Sequence, residues 1–139
     1  MKFYIGSGLK NCDLVNEYAK ILEAQGWTHT YNWAKSLKPA ETAAELTAYA
    51  ELEQQGVKDA DAVIILLPAG RGTHIELGMA LALGKRVFLC SASEEEFSLE
   101  NTVSFYQLPS VVRLVGTAED TVGEILRRAG EVPGEKSGS

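Results

Sequence analysis

The fold of this chain is decided by residues 63–78, which read VIILLPAGRGTHIELG. The first five of them, Val63 to Leu67, form an uninterrupted apolar run, which is typical of a parallel strand covered by helices on both faces. A loop from Pro68 to Gly72 follows, and a helical pattern then runs from Thr73 to Leu83. A buried strand followed directly by a helix predicts a βαβ unit.

The same alternation continues on both sides of this segment. It predicts five strands, at residues 3–5, 27–32, 63–67, 86–90 and 111–115. It predicts four helices, at residues 11–25, 40–58, 73–83 and 117–129. Short connections and right-handed crossovers then favour an α/β fold: an open, doubly wound parallel sheet, flavodoxin-like or Rossmann-like, with strand order 2-1-3-4-5.

Length and composition indicate one soluble domain. The chain has 139 residues, 45% of them hydrophobic, and we predict a single α/β domain over 1–130 with a flexible tail over 131–139. The formal net charge of −6 argues against a nucleic-acid polymer as partner. No apolar run approaches the roughly 18 residues of a membrane span, and the strand-like N-terminus does not read as a signal peptide. We therefore expect a cytoplasmic protein without membrane contact.

Metal and disulfide chemistry have little support in the sequence. Two cysteines, Cys12 and Cys90, are too few for a disulfide framework and do not form a C-x-x-C pair. The chain has only two histidines, His29 and His74, so we do not expect a zinc site. We predict no metal site and no cofactor.

A ligand site is expected between strands one and three, where the winding of the sheet reverses. The candidate substrate-binding residues there are Gly6, Ser7, Gly8, Asn32, Trp33, Gly70, Arg71, Gly72, Thr73 and His74. The amides around Ser7 suit a phosphate or a sugar hydroxyl at a helix N-terminus. Arg71 is either an anion anchor or a solvated loop residue, and Trp33 either stacks on a base or packs in the core. No sequence neighbour of His74 completes a catalytic dyad.

Glu76 is the first candidate for chemistry. It follows Thr73 by three residues at a predicted helix start, and Thr-x-x-Glu is the pattern of a capping box, in which the carboxylate only satisfies a backbone N–H. The same position faces any ligand bound across strands one and three, and the neighbouring glycines allow a ligand to approach the backbone. Spacing alone leaves both interpretations open.

Glu53 is the second candidate. It falls on a stripe of apolar residues that step by three and four along the second helix: Ala43, Leu46, Ala50 and Val57. A carboxyl in that position either reaches water at the helix edge or is partly desolvated, and desolvation raises the pKa of a carboxyl toward that of a general acid. Two carboxyls in different environments would supply an acid and a nucleophile.

Four segments of the chain carry a family resemblance: FYIGS at 3–7, ADAVI at 60–64, GTHIELGMA at 72–80 and GKRV at 84–87. Together they resemble the nucleoside 2-deoxyribosyltransferase family, including its relatives that hydrolyse nucleoside 5′-monophosphates. The resemblance implies that Glu76 is the nucleophile. It places Glu53 where the family usually has an aspartate that assists the leaving base. Family transferases carry a further acid in the loop before the nucleophile, where this chain has Gly70 and Arg71.

The resemblance also bears on phosphate and on assembly. The nucleotide-hydrolysing relatives hold the phosphate with a serine that corresponds to Ser7 and with an arginine two residues later, where this chain has Leu9. Lys10 and Arg71 are candidates to replace that arginine. Family members form dimers or larger assemblies in which a neighbouring chain often completes the site, so the resemblance implies a homodimer or higher homo-oligomer.

From these observations we predict cleavage of the N-glycosidic bond of a (deoxy)nucleoside or nucleoside 5′-monophosphate. Glu76 attacks C1′ to form a glycosyl ester, Glu53 or a water protonates the base, and the sugar passes to water or to another base. Two alternatives remain open at this point. One is a glycohydrolase acting on NAD or a similar dinucleotide, and the other is a catalytically inactive nucleotide-binding sensor or interaction protein.

Overall fold

The computed structural model describes residues 1–35 and 38–130, so the predicted tail over 131–139 lies outside the described residues. Within these described residues, five parallel strands form one sheet: β1 (Lys2–Ser7), β2 (Thr28–His29), β3 (Ala62–Leu66), β4 (Arg86–Ser91) and β5 (Val111–Val115). Their order is β2-β1-β3-β4-β5, which confirms the predicted α/β fold and topology.

In the described part of the chain, four α-helices cover the sheet: α1 (Cys12–Ala24), α2 (Ala43–Asp59), α3 (Arg71–Ala82) and α4 (Ala118–Ala129). α1 packs against α4, and α2 packs against α3. Every residue of β3 is buried, which is why its sequence shows no polar alternation. None of the described helices is long and apolar enough to cross a membrane.

The second strand is shorter than predicted. We expected a strand over 27–32, but only Thr28 and His29 pair with β1. Beyond them the Thr30 hydroxyl donates a 2.7 Å hydrogen bond to the Gly56 carbonyl, and the Asn32 side chain accepts from the amide of Ala34. These bonds direct the chain away from the sheet edge into a short 3-10 turn, because a side-chain acceptor near the backbone competes with strand pairing.

The remaining connections contain short 3-10 turns. They cover Leu9–Asn11, Trp33–Lys35, Glu94–Phe97 and Ser104–Gln107. The last of these turns is held against α3 by His74, whose Nε2 lies 2.7 Å from the Tyr106 hydroxyl. The first two turns lie beside the carboxyl end of β1 and help to shape the pocket described next.

Candidate active site

A pocket of about 330 Å³ opens at the carboxyl end of β1, between α2 and α3. Of the predicted site residues, it is lined by Ser7, Gly8, Trp33, Glu53, Gly70, Gly72, Thr73 and Glu76. Five further lining residues, Leu9, Ala50, Gln54, Ile75 and Met79, were not predicted. The volume falls within the range of small-molecule sites, and the two candidate carboxyls share it.

Glu76 does not act as a helix cap. α3 begins at Arg71, two residues before the predicted start, with Gly70 as its N-cap residue and no side-chain cap. Thr73 therefore lies inside the helix, and the capping-box interpretation is wrong. Glu76 Oε2 instead accepts a hydrogen bond from the hydroxyl of Tyr4 in β1, across the interface between helix and sheet. Glu76 as a residue is 8% exposed and lines the pocket.

Burial changes the acidity of this pair. The pKa of Glu76 is raised from 4.5 to about 7. Desolvation by burial is the largest cause, the hydrogen bond from Tyr4 acts in the opposite direction, and the nearby charge of Glu53 adds to the increase. Burial is the largest cause that raises the pKa of Tyr4, and the charge of Glu76 is the next. The Tyr4 hydroxyl therefore stays protonated and acts as the hydrogen-bond donor. A carboxyl whose pKa lies near neutrality in a cleft is a marker of functional sites.

Glu53 is half-buried on α2 and lines the same pocket. Desolvation by burial raises its pKa. Its negative charge contributes to the raised pKa values of Glu76 and Tyr4, so the two carboxyls interact electrostatically. The stripe on α2 that identified Glu53 in the sequence is therefore oriented toward the pocket at this position.

Gly6 lies directly beneath the Glu76 carboxyl. A methyl group built at Gly6 would be 3.0 Å from Glu76 Oε1 and 3.1 Å from both Ile65 Cδ1 and Thr73 Cγ2. Tyr4 and Gly6 project to the same face of β1 because side chains alternate along a strand. In β1, Tyr4 thus donates a hydrogen bond to Glu76 Oε2, and the missing side chain of Gly6 leaves room for Glu76 Oε1.

Gly6→Ala is expected to lower the free energy of unfolding by about 1–3 kcal/mol, the usual effect of overpacking a close-packed site. The matched control is Gly78→Ala in α3, where an added methyl group meets no atom within 4 Å. That control should be neutral or stabilising by up to about 1 kcal/mol, since Ala favours helix more than Gly does. Urea unfolding of both variants tests the difference, and equal effects would contradict the close approach at Gly6.

The hydroxyl of Ser7 is already engaged. It donates a 2.8 Å hydrogen bond to the Leu66 carbonyl at the end of β3, and it accepts from Asn11 Nδ2 at 2.9 Å. This side chain therefore ties the ends of β1 and β3 together. Its hydrogen is not free for a ligand, although the residue and Gly8 border the pocket.

The structure separates the two predicted residues that follow strand two. Trp33 is buried, lines the pocket and donates a 2.7 Å hydrogen bond from Nε1 to the Ile5 carbonyl. Asn32 does not reach this pocket. Its side-chain Nδ2 donates a 3.2 Å hydrogen bond to Asn16 Oδ1, and Asn32 borders a separate depression beside α1.

Three other predicted residues, Arg71, His74 and Gly6, also lie outside the pocket lining. Arg71 is exposed at the first position of α3. His74 projects to the opposite flank of α3, where Nδ1 lies 2.7 Å from the Gly70 carbonyl and Nε2 meets Tyr106. His74 thus links α3 to the 3-10 turn of Ser104–Gln107. Gly6 contacts Glu76 from below and is not part of the lining either.

Sequence reasoning did not include Tyr4 in the candidate site, although its hydroxyl donates a hydrogen bond to Glu76. The available signal was a tyrosine within the apolar run of β1, since a buried tyrosine hydroxyl usually finds a hydrogen-bond partner. The sequence did not show which partner, because Tyr4 and Glu76 are 72 positions apart. Among the described residues, no group of three or more His, Cys, Asp or Glu side chains is placed to hold a metal ion.

Comparison with known proteins identifies the class to which this fold and site belong. The model of the family described as nucleoside 2-deoxyribosyltransferase matches residues 3–126. The chain therefore belongs to the nucleoside 2-deoxyribosyltransferase family.

Among solved structures, the chain is similar to the CMP N-glycosidase BcmB of Clostridium botulinum. The TM-score is 0.64 at 18% sequence identity, and the match covers 90% of this chain and 98% of the other. This likeness concerns the fold. The search of curated proteins found no match.

Proposed function

We propose that this protein cleaves the N-glycosidic bond of a nucleoside or nucleoside 5′-monophosphate through a covalent glycosyl ester on Glu76. The observation that carries the proposal is the pairing of two carboxyls of different burial in one pocket, at the point of the sheet where α/β proteins bind ligands. Membership of a family named for transfer of deoxyribosyl groups supports it, and so does the likeness in fold to a CMP N-glycosidase.

The two carboxyls divide the reaction between them. As the bond between C1′ and the base nitrogen breaks, that electron pair leaves with the base, and a Glu76 oxygen forms a bond to C1′. Glu53, in its protonated form, gives its proton to the departing base and becomes a carboxylate. The carboxylate then accepts a proton from the incoming water or base that attacks C1′, which releases Glu76 and restores Glu53.

Catalysis requires the proton on Glu53 and the negative charge on Glu76. In the free protein, the pKa of about 7 leaves Glu76 largely protonated below neutrality. Glu76 therefore releases its proton to the solvent before it attacks C1′, and the positive charge that develops on the sugar in the transition state stabilises the ionised form. Tyr4 assists, because its hydrogen bond also favours the carboxylate.

The test is release of free base from a substrate panel, detected by chromatography. The panel contains ribonucleosides, deoxyribonucleosides, their 5′-monophosphates and NAD, each with and without an acceptor base. Dependence on the acceptor identifies a transferase, and release into water alone identifies a hydrolase. Tight binding of a nucleoside or nucleotide without any base release would contradict the proposal and favour a nucleotide-binding sensor.

Tyr4→Phe is expected to move the acidic limb of the kcat/KM profile from a midpoint near pH 7 to higher pH, by about one unit. The reason is that the lost hydrogen bond favoured the ionised form of Glu76, whose pKa then rises further. The control is Tyr49→Phe, a tyrosine of α2 outside the pocket lining, which should leave the midpoint in place. An unchanged profile in Tyr4→Phe would show that this bond does not tune the nucleophile.

A further inference from the structure

A pair of hydrogen bonds connects the pocket to a segment that lies outside it. His74, near the start of α3, has Nδ1 at 2.7 Å from the Gly70 carbonyl and Nε2 at 2.7 Å from the Tyr106 hydroxyl. Because a carbonyl oxygen only accepts hydrogen bonds, Nδ1 carries the hydrogen of the first bond. In the neutral ring Nε2 is then the acceptor, and the Tyr106 hydroxyl donates to it.

Gly70 and Gly72 form one wall of the pocket, the glycine wall, which side-chain packing does not hold in place. Both residues are exposed, and a methyl group built on either would meet no packed neighbour within 4 Å among the described residues. α3 begins here without a side-chain cap. The Gly70 carbonyl accepts from the His74 amide at 3.2 Å and from His74 Nδ1. The position of the glycine wall therefore depends on hydrogen bonds to His74.

Tyr106 is a firmly held partner for His74. It is buried, its ring packs edge-on against Phe97, and its amide donates a 2.9 Å hydrogen bond to the Val103 carbonyl. Arg113 in β5 donates a 2.6 Å hydrogen bond to the Tyr106 carbonyl. The hydroxyl that meets His74 thus belongs to a segment that is bound to the sheet.

We propose that His74 is a positioning residue, which uses the Tyr106 hydroxyl to fix the glycine wall for substrate binding. Neither His74 nor Tyr106 lines the pocket, so both act through the wall and not on the substrate itself. Glu76 is held separately, by the hydrogen bond from Tyr4. Loss of the link should therefore weaken substrate binding while the nucleophile keeps its place. This inference rests on the proposed function and adds a positioning role to it.

Two variants break the link in different ways, and base release measures the effect. Tyr106→Phe removes the hydroxyl and keeps the ring, whereas His74→Asn keeps a donor for the Gly70 carbonyl and is too short to reach Tyr106. Each should raise KM by about threefold or more and leave kcat within about twofold, since a wall that binds ground state and transition state alike affects KM alone. The double variant should raise KM no further than the single variants, because both changes break one link.

The matched control is Tyr18→Phe. It removes a second buried tyrosine hydroxyl, which hydrogen-bonds to the Thr121 hydroxyl between α1 and α4, far from the glycine wall in the chain. Its loss of a buried hydrogen bond resembles that in Tyr106→Phe, so it reports the effect of lost stability alone. With rates normalised to folded protein, Tyr18→Phe should leave KM unchanged.

A second measurement does not require turnover. Hydrogen exchange of the residue 74 amide, which donates to the Gly70 carbonyl, can be followed by NMR spectroscopy. A released helix start opens more often, so exchange should be faster by about tenfold in Tyr106→Phe and in His74→Asn. Exchange at this amide in Tyr18→Phe should match the wild-type protein.

The outcomes separate this inference from the function beneath it. An unchanged KM in both link variants, or unchanged exchange in both, overturns the positioning role while base release itself stands. So does a fall in kcat at constant KM, or an equal effect in Tyr18→Phe. Absence of base release in the wild-type protein would contradict the proposed function. Faster exchange in the two link variants alone would then still support the hold on the glycine wall, and unchanged exchange would overturn it.

Discussion

Glu76→Gln is expected to reduce base release by on the order of 10⁴-fold, the scale seen when a covalent nucleophile is removed. The amide has nearly the same shape as the carboxyl, so the substituted side chain still fits above Gly6 and beside Tyr4. It cannot form the ester bond to C1′, because a neutral amide oxygen is a poor nucleophile. The measurement is base release over the substrate panel, with rates normalised to folded protein.

A control and a second readout make this result specific. Glu51→Gln removes an exposed glutamate outside the pocket lining and should leave base release within about twofold. In the wild-type protein, mass spectrometry of the quenched reaction should find the sugar attached to the peptide that contains Glu76. If Glu76→Gln retained a tenth of the wild-type rate, or if the sugar were found elsewhere, another group would be the nucleophile.

The fold was predictable because its signals are local. The apolar run of β3, the glycine turns and the helical spacing of α1 and α3 each lie within one segment, and together they define the topology. The second strand was overestimated because its β-prone residues do not show that Asn32 will turn the chain through a side-chain bond to the amide of Ala34.

Two Thr-x-x-Glu segments of this chain have different structures, although their local sequence pattern is the same. Thr42 and Glu45 form a Thr-x-x-Glu that does cap α2, with the Thr42 hydroxyl accepting from the Glu45 amide at 3.1 Å. Thr73 and Glu76 repeat the spacing, yet α3 starts earlier, at Arg71. The difference arises from tertiary structure, since a partner hydroxyl in β1 engages the Glu76 carboxyl. Spacing alone could not distinguish the two sites.

The candidate site was predictable in position and only partly in membership. The rule for open α/β sheets placed the pocket beside β1 and β3 and made Glu76 a candidate, and the family resemblance implied its role as nucleophile. The orientations of Asn32 and His74 depend on partners far along the chain, at Asn16 and Tyr106. Such pairings carry no periodic signal, so these side chains were assigned to the site only because they lie close to the carboxyl ends of the predicted strands.

Glu76→Gln is also expected to stabilise the protein at alkaline pH. In the unfolded chain the Glu76 carboxyl ionises near 4.5, whereas in the folded protein its pKa is about 7. Below pH 4.5 both states are protonated and the group has little effect on stability. Between 4.5 and 7 the unfolded state loses its proton first, so stability falls as pH rises, and above 7 the penalty is constant at about 3 kcal/mol.

Glutamine cannot ionise and removes this penalty, so the gain in unfolding free energy over the wild-type protein should grow from near zero at pH 4.5 to about 3 kcal/mol at pH 8. Urea unfolding of both proteins at the two pH values measures that growth, and the other titrating groups largely cancel in the difference. Glu51→Gln, an exposed glutamate on α2, should show no such growth. A gain that stayed constant with pH would mean that Glu76 is ionised at ordinary pH in the folded protein, and the nucleophile would then have no proton to release before it attacks C1′.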